Sequence, residues 1–207
     1  MSKLRTIISK ILPYFFICLF SVIFIMPLIW MIGTSLKLNI EVFSHESGLF
    51  PKDPQWSNYV KVFNRMKFGI YLRNTLITSI LPVIGQLFAA PMVAYSISRV
   101  PWKGGKYIFP LILFTMMVPG QVTQIPLFST WSRLGLTNTF WPLILPSFFG
   151  SAYYVFLLRQ FMLTIPASLL EAARIDGARE VRVLYQIFIP LCKPVLITVA
   201  LMTFMGH

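Results

Sequence analysis

The side chains able to do chemistry in this sequence are few. There are six acids, Glu41, Glu46, Asp53, Glu171, Asp176 and Glu180, and two histidines, His45 and His207. Paired carboxylates can serve as general acid and base, but only when other groups bind and polarise a substrate beside them. The acids fall into two sets of three, 41–53 and 171–180, and neither set has such partners in sequence. His45-Glu46 lacks the second histidine that a zinc-binding H-E-x-x-H helix requires. Cys18 and Cys192 stand alone and read as small apolar residues rather than a disulfide framework. Gly105-Lys106 is followed by Tyr107, so no phosphate-cradling G-x-x-x-x-G-K-[ST] loop is present. The sequence therefore offers no catalytic residue, no metal site and no cofactor site. If ATP drives this protein, the hydrolysis takes place on another chain.

The elements that surround these groups are apolar. Of 207 residues, 57% are hydrophobic and 12% are charged, against about 25% charged in soluble domains. Mean hydropathy is +0.74. Six acids and eighteen bases cannot cover the surface of a soluble domain of this size, which excludes a soluble enzyme. The net charge of +12 does not arise from a basic patch with interleaved aromatics, so nucleic acid is not an expected partner. The bases lie instead between long uncharged stretches, as topology signals and contacts to anionic headgroups do.

Four stretches contain no charged residue: Ile11 to Leu36, Asn74 to Ser98, Tyr107 to Ser132 and Leu134 to Leu158. Each exceeds the ~20 residues needed to cross a bilayer core. A fifth begins after Lys193 and reaches only His207. The expected fold is an all-α polytopic membrane protein, a transmembrane helix bundle with four full spans and part of a fifth. The expected division is 1–36, cytoplasmic N-terminus and first span; 37–73, extracytoplasmic loop; and 74–207, a core containing a cytoplasmic loop at 164–193 and incomplete at its C-terminus. The basic start, Lys3, Arg5 and Lys10, precedes an apolar run too long for a signal peptide and reads as a retained anchor. With the N-terminus in the cytoplasm, eleven of the eighteen Lys and Arg fall inside, in agreement with the positive-inside rule. Lys61, Arg65, Lys67 and Arg73 fall outside, where Trp56 and Tyr59 suit a helix lying on the membrane surface with snorkelling basic side chains.

None of the uncharged stretches holds Asp, Glu, Lys, Arg or His, which disfavours proton-coupled transport and voltage sensing. Prolines 82, 91, 110, 119, 126, 142 and 146 punctuate them and predict kinks. Gly85 with Ala89, and Ala90 with Ala94, present small surfaces for close helix approach. Thr78, Ser79, Gln86, Tyr95, Thr123, Gln124, Tyr153 and Tyr154 read as groups that satisfy helix packing.

The informative loop is Thr164 to Lys193. Pro166 suits a first helical turn, and Ser168 with Glu171 has capping-box spacing. Leu169, Leu170 and Ala173 share a face. Gly177 permits the left-handed turn that ends a helix. Val181, Leu184, Tyr185 and Phe188 then fall at i, i+3, i+4 and i+7 as an apolar stripe. The loop is expected to form two short amphipathic helices joined at a glycine corner. Two readings fit it: a surface lying on headgroups, or a docking surface in which Ala172 and Ala173 allow a partner to approach closely.

Glu171-Ala172-Ala173, Asp176-Gly177, Ile187 and Pro190 match the E-A-A…G…I-x-x-P loop, and here the chain resembles the membrane subunits of bacterial ATP-binding-cassette importers. Met117 to Pro146, Phe156 to Ala178, and Asn58-Tyr59 through Tyr71–Thr75 are similar to the carbohydrate-uptake, maltose-type branch. The resemblance implies a six-span fold in the bacterial inner membrane and a loop that docks on a cytoplasmic ATPase, switching access to the pathway. Glu171, Ala172, Ala173, Asp176 and Gly177 would form the docking helix and its corner. The implied partners are an ATPase subunit dimer, a second permease subunit, an extracytoplasmic solute-binding protein and the lipid bilayer. It also implies that the chain stops within a span that family members complete. The alternative expectation is a non-transporting membrane interaction protein or a truncated relic of such a permease.

Overall fold

The computed structural model describes residues 2–44 and 48–207, with side chains from residue 12 onward. His45 and Glu46 lie outside the described residues, and so do the side chains of Lys3, Arg5 and Lys10. The described residues form helices and no strand: α1 (Ser2–Ser35), α2 (Asn39–Val42), α3 (Ser57–Arg65), α4 (Phe68–Arg99), α5 (Gly105–Met117), α6 (Gly120–Arg133), α7 (Trp141–Ile144), α8 (Ala152–Thr164), α9 (Ala167–Ile175), α10 (Glu180–Val183), α11 (Ile189–Leu191) and α12 (Lys193–Gly206). Packing divides the chain into two units, Met1–Ile70 and Tyr71–His207.

In the first unit, α1 is apolar on every side from Leu12 onward. Its candidate span, Leu12–Ser35, has a mean hydropathy of 2.7 and buries only Gly33, near its end. A helix with no polar face is stable where lipid is the solvent. Only its end is fastened. A Cβ on Gly33 would fall 2.1 Å from the Leu49 carbonyl oxygen, so glycine alone lets the returning chain pass. Asn58 Nδ2 donates to the carbonyls of Ser35 (3.2 Å) and Lys37 (3.0 Å), and Lys37 Nζ donates to the Gly48 carbonyl at 2.6 Å. On α3, Trp56, Tyr59, Val60 and Phe63 are exposed at i, i+3, i+4 and i+7, the pattern of an interfacial helix. Trp56 and Tyr59 stack at 6.5 Å.

The second unit has a packed core. Ala90, Ala94, Leu158, Met162, Val183, Phe188, Cys192 and Val199 are essentially inaccessible. The small residues of α4 face this core. A Cβ on Gly85 would lie 2.5 Å from the Phe148 ring, and Gly150, at φ +79°, sits against the backbone of Ala90. Gln86 Oε1 accepts a hydrogen bond from the Ser151 amide at 3.1 Å.

Among the described residues, three helices are long and apolar enough to cross a membrane: Leu12–Ser35, Phe68–Arg99 and Trp141–Thr164. The other two stretches are bent pairs, which makes up to five spans if each pair crosses once. In the third stretch, where Pro119 predicts a kink, α5 and α6 meet at 97°. Val118 precedes Pro119 and is held extended (φ −78°, ψ 117°) by the proline ring, which also removes the donor that would continue the ladder. The bounds of the fourth stretch are corrected. Its helix runs past the charge boundary at Leu158, so Arg159 lies within the candidate span, its guanidinium 3.7 Å from the centre of the Phe109 ring. A charge stacked on an aromatic face can be held there, which a search for uncharged stretches overlooks. The final pair, Glu180–Leu191 and Lys193–Gly206, bends by 80° between Pro190 and Pro194.

Candidate docking loop

The loop begins where α8 ends. Ile165 is buried, and Pro166 takes an extended conformation (φ −57°, ψ 136°) as the residue that caps α9. Pro166 therefore precedes the helix instead of occupying its first turn. The expected capping box does not form. With Pro166 at the cap, Ser168 already lies inside the first turn, and no side chain caps the helix. Leu170 and Ala173 are buried, while Leu169 is exposed, so the inward face is narrower than the spacing suggested.

The C-terminus of α9 follows the expectation closely. Gly177 has φ +76°. Its amide donates to the Arg174 carbonyl (3.0 Å), and the Ala178 amide reaches back to the Ala173 carbonyl (2.9 Å). These two bonds form a complete Schellman motif, which satisfies the carbonyls a helix end leaves free. The turn requires a left-handed residue, which glycine adopts without strain.

The stripe beyond the corner is corrected. Val183, Leu184 and Phe188 are buried, but Val181 and Tyr185 face out. Leu184–Phe188 is a π-helical turn. Its wider spacing breaks the 3.6-residue period on which the stripe was read and rotates Tyr185 away from the core.

Of the five residues assigned by resemblance, Glu171, Ala172, Asp176 and Gly177 are exposed, and Ala173 is turned inward. Ala173 thus seats the helix and does not leave room for a partner. Beside the exposed residues, Ile175 is 87% exposed.

Four further residues tie this loop to the ends of α4 and α8. Glu180 accepts from the Tyr95 hydroxyl at 2.5 Å through Oε2, and from Arg174 Nη2 and Nε at 2.8 and 3.0 Å through Oε1. Arg174 Nη2 also reaches the Arg99 carbonyl at 3.4 Å. The Arg99 guanidinium donates to the Met162 and Ile165 carbonyls, capping the C-terminal end of α8. The Phe188 ring lies under both groups, 5.0 Å from the Tyr95 ring and 5.6 Å from the Arg99 guanidinium carbon. By sequence Tyr95 reads as a packing residue, Glu180 as one of three acids without partners, and Arg99 and Arg174 as cytoplasmic bases; nothing in the sequence joins the four. The one available signal was an Arg and a Glu on opposite sides of a glycine corner. Among the described residues, no three His, Cys, Asp or Glu side chains converge as metal ligands.

Residues 83–207 match the family model of the binding-protein-dependent transport system inner membrane component. The chain belongs to this family. Relatives include a probable ABC transporter permease protein, YurM, and the galactooligosaccharides transport system permease protein GanQ, both of Bacillus subtilis and both 32% identical. The matches cover 91% and 99% of this chain. The arabinooligosaccharides transport system permease protein AraQ of the same organism is 33% identical over 86% of the chain. This chain spans 62% of YurM, 64% of AraQ and 73% of GanQ. Among solved structures, a chain of a bacterial ABC transporter that imports the acidic polysaccharide alginate superimposes with a TM-score of 0.84 at 28% identity, over 96% of this chain and 70% of that one. The family and the apolar helices together identify a multi-pass, all-α membrane component of transport systems.

Proposed function

We propose that this protein is the permease subunit of an ATP-driven importer of carbohydrates, with its N-terminus in the cytoplasm and its 164–193 loop docked on a cytoplasmic ATPase dimer. A second permease subunit and an extracytoplasmic solute-binding protein complete the transporter. The oligosaccharide systems named for GanQ and AraQ support the substrate class. The positive-inside bias supports the orientation. The observation that carries the docking role is the two-sidedness of α9: Leu170 and Ala173 anchor one side, and Glu171, Ala172, Ile175 and Asp176 stand free on the other beside the Gly177 corner. A short helix held rigidly by one face, with small and acidic groups on the other, can enter a cleft in a cytoplasmic partner. ATP-driven closure of that cleft then displaces α9 and the spans behind it.

The test is co-isolation of the ATPase from membranes carrying the full-length permease and its partner subunits. Gly177→Trp forces a side chain onto a left-handed residue, and Glu171→Lys reverses a charge on the free face; both are expected to abolish ATPase capture. Retention of the ATPase by both variants, with unchanged transport per ATP, overturns the docking role.

A further inference from the structure

Tyr95, Arg99, Arg174 and Glu180 form a connected polar joint, and it lies on the side of the docking helix opposite the face proposed to meet the ATPase. We propose that Arg174 and Glu180 are positioning residues that lock α9 to the end of α4, so that docking helix and span move as one body. This rests on the docking role proposed above.

The geometry favours a joint over an ordinary surface ion pair. Arg174 and Glu180 are 35% and 39% exposed, and a pair so placed contributes little by Coulomb attraction alone. Glu180, however, uses both carboxylate oxygens. One holds Arg174 on the last turn of α9, and the other accepts from Tyr95, which is 3% exposed and lies 85 residues earlier. A buried hydroxyl without a partner is costly, so Tyr95 fixes where Glu180 must be. Glu180 in turn fixes Arg174. The charge-assisted bonds are short and directional. Arg99, four residues after Tyr95 on α4, ties the same helix end to the C-terminal carbonyls of α8.

Between Arg174 and Glu180 the backbone turns at Gly177, where a Cβ would meet nothing within 4 Å. Leu170, Ala173 and Ala178 pack α9 and the corner onto the core, and the side-chain bridge adds a directional tie from the last turn of α9 to α4. Without the bridge, α9 keeps its apolar seat but loses the polar link that holds it to α4 at one angle.

The test is pulsed electron spin resonance on the full-length permease with its partner subunits. Spin labels are placed at Leu169→Cys on α9 and Phe88→Cys on α4, both exposed positions, in a Cys18→Ser background. The parent is expected to give one narrow distance, the same with and without Mg·ATP. Arg174→Glu, which sets a second carboxylate against that of Glu180, is expected to lose that narrow distance and to lower transport per ATP about fivefold or more. Tyr95→Phe keeps the ring contact with Phe188 and is expected to broaden the distance less. The exchange Arg174→Glu with Glu180→Arg is expected to restore it, since a tyrosine hydroxyl can also accept a bond. An unchanged distance in Arg174→Glu, or no recovery in the exchange, overturns the joint. The same measurement without nucleotide needs no ATPase. A failure of the docking role therefore shows as lost ATPase capture with the narrow distance intact, distinct from a failure of the joint.

Discussion

Helices α1 and α4 are both long and apolar, both contain two prolines, and they behave differently. The candidate span of α1 has the higher hydropathy, 2.7 against 1.8, yet only Gly33 at its end is buried, while 39% of the α4 window is. In water the more apolar helix would be the more deeply buried. In lipid that ordering reverses, because acyl chains solvate Leu and Phe as well as a protein interior does. What draws a helix into the bundle is close approach of small residues and pairing of polar groups. α4 has Gly85, Ala89, Ala90 and Ala94 for the first, and Gln86 and Tyr95 for the second, all buried.

Three substitutions test this contrast. Ala90→Leu has the largest expected effect. Ala90 is fully buried against Gly150, and overpacking such a contact costs about 1–3 kcal/mol, read as a lower midpoint of thermal unfolding in detergent. An unchanged midpoint would mean that α4 is not held by close approach. Gln86→Leu raises hydropathy while deleting the acceptor of the Ser151 amide. It is expected to destabilise by about 1 kcal/mol, measured the same way; stabilisation would show that hydropathy, not pairing, seats this helix. Phe24→Leu on α1 has the smallest effect, within about 0.5 kcal/mol, since Phe24 is 76% exposed to the surroundings of the unit. A large loss there would reveal a protein partner along α1.

Much of the fold was legible because its signals are local. Uncharged stretches longer than a bilayer is thick mark helices whatever they pack against. Gly177 was read as a corner, and it has the positive φ and both Schellman bonds, because that turn depends on one residue's backbone freedom. Pro119 was legible as a kink, but the 97° angle was not, since it follows from the extended backbone that Val118 adopts before the proline. Ser168 and Glu171 had capping-box spacing, and Pro166 took the cap. The stripe through Val181 and Tyr185 failed because it assumed an α-helical period across a π-helical turn. Arg159 fell within a span whose boundary had been drawn at the last uncharged residue.

The sequence by itself determined the solvent, the helical class, the family and the place of the glycine corner, since each follows from composition or from a few adjacent residues. Only the tertiary structure decided which face of α9 is free, that Ala173 seats the helix, and that Tyr95 meets Glu180. Those outcomes depend on residues distant in sequence competing for the same buried space and the same hydrogen bonds. In lipid, where hydropathy no longer sorts inside from outside, that competition decides the packing.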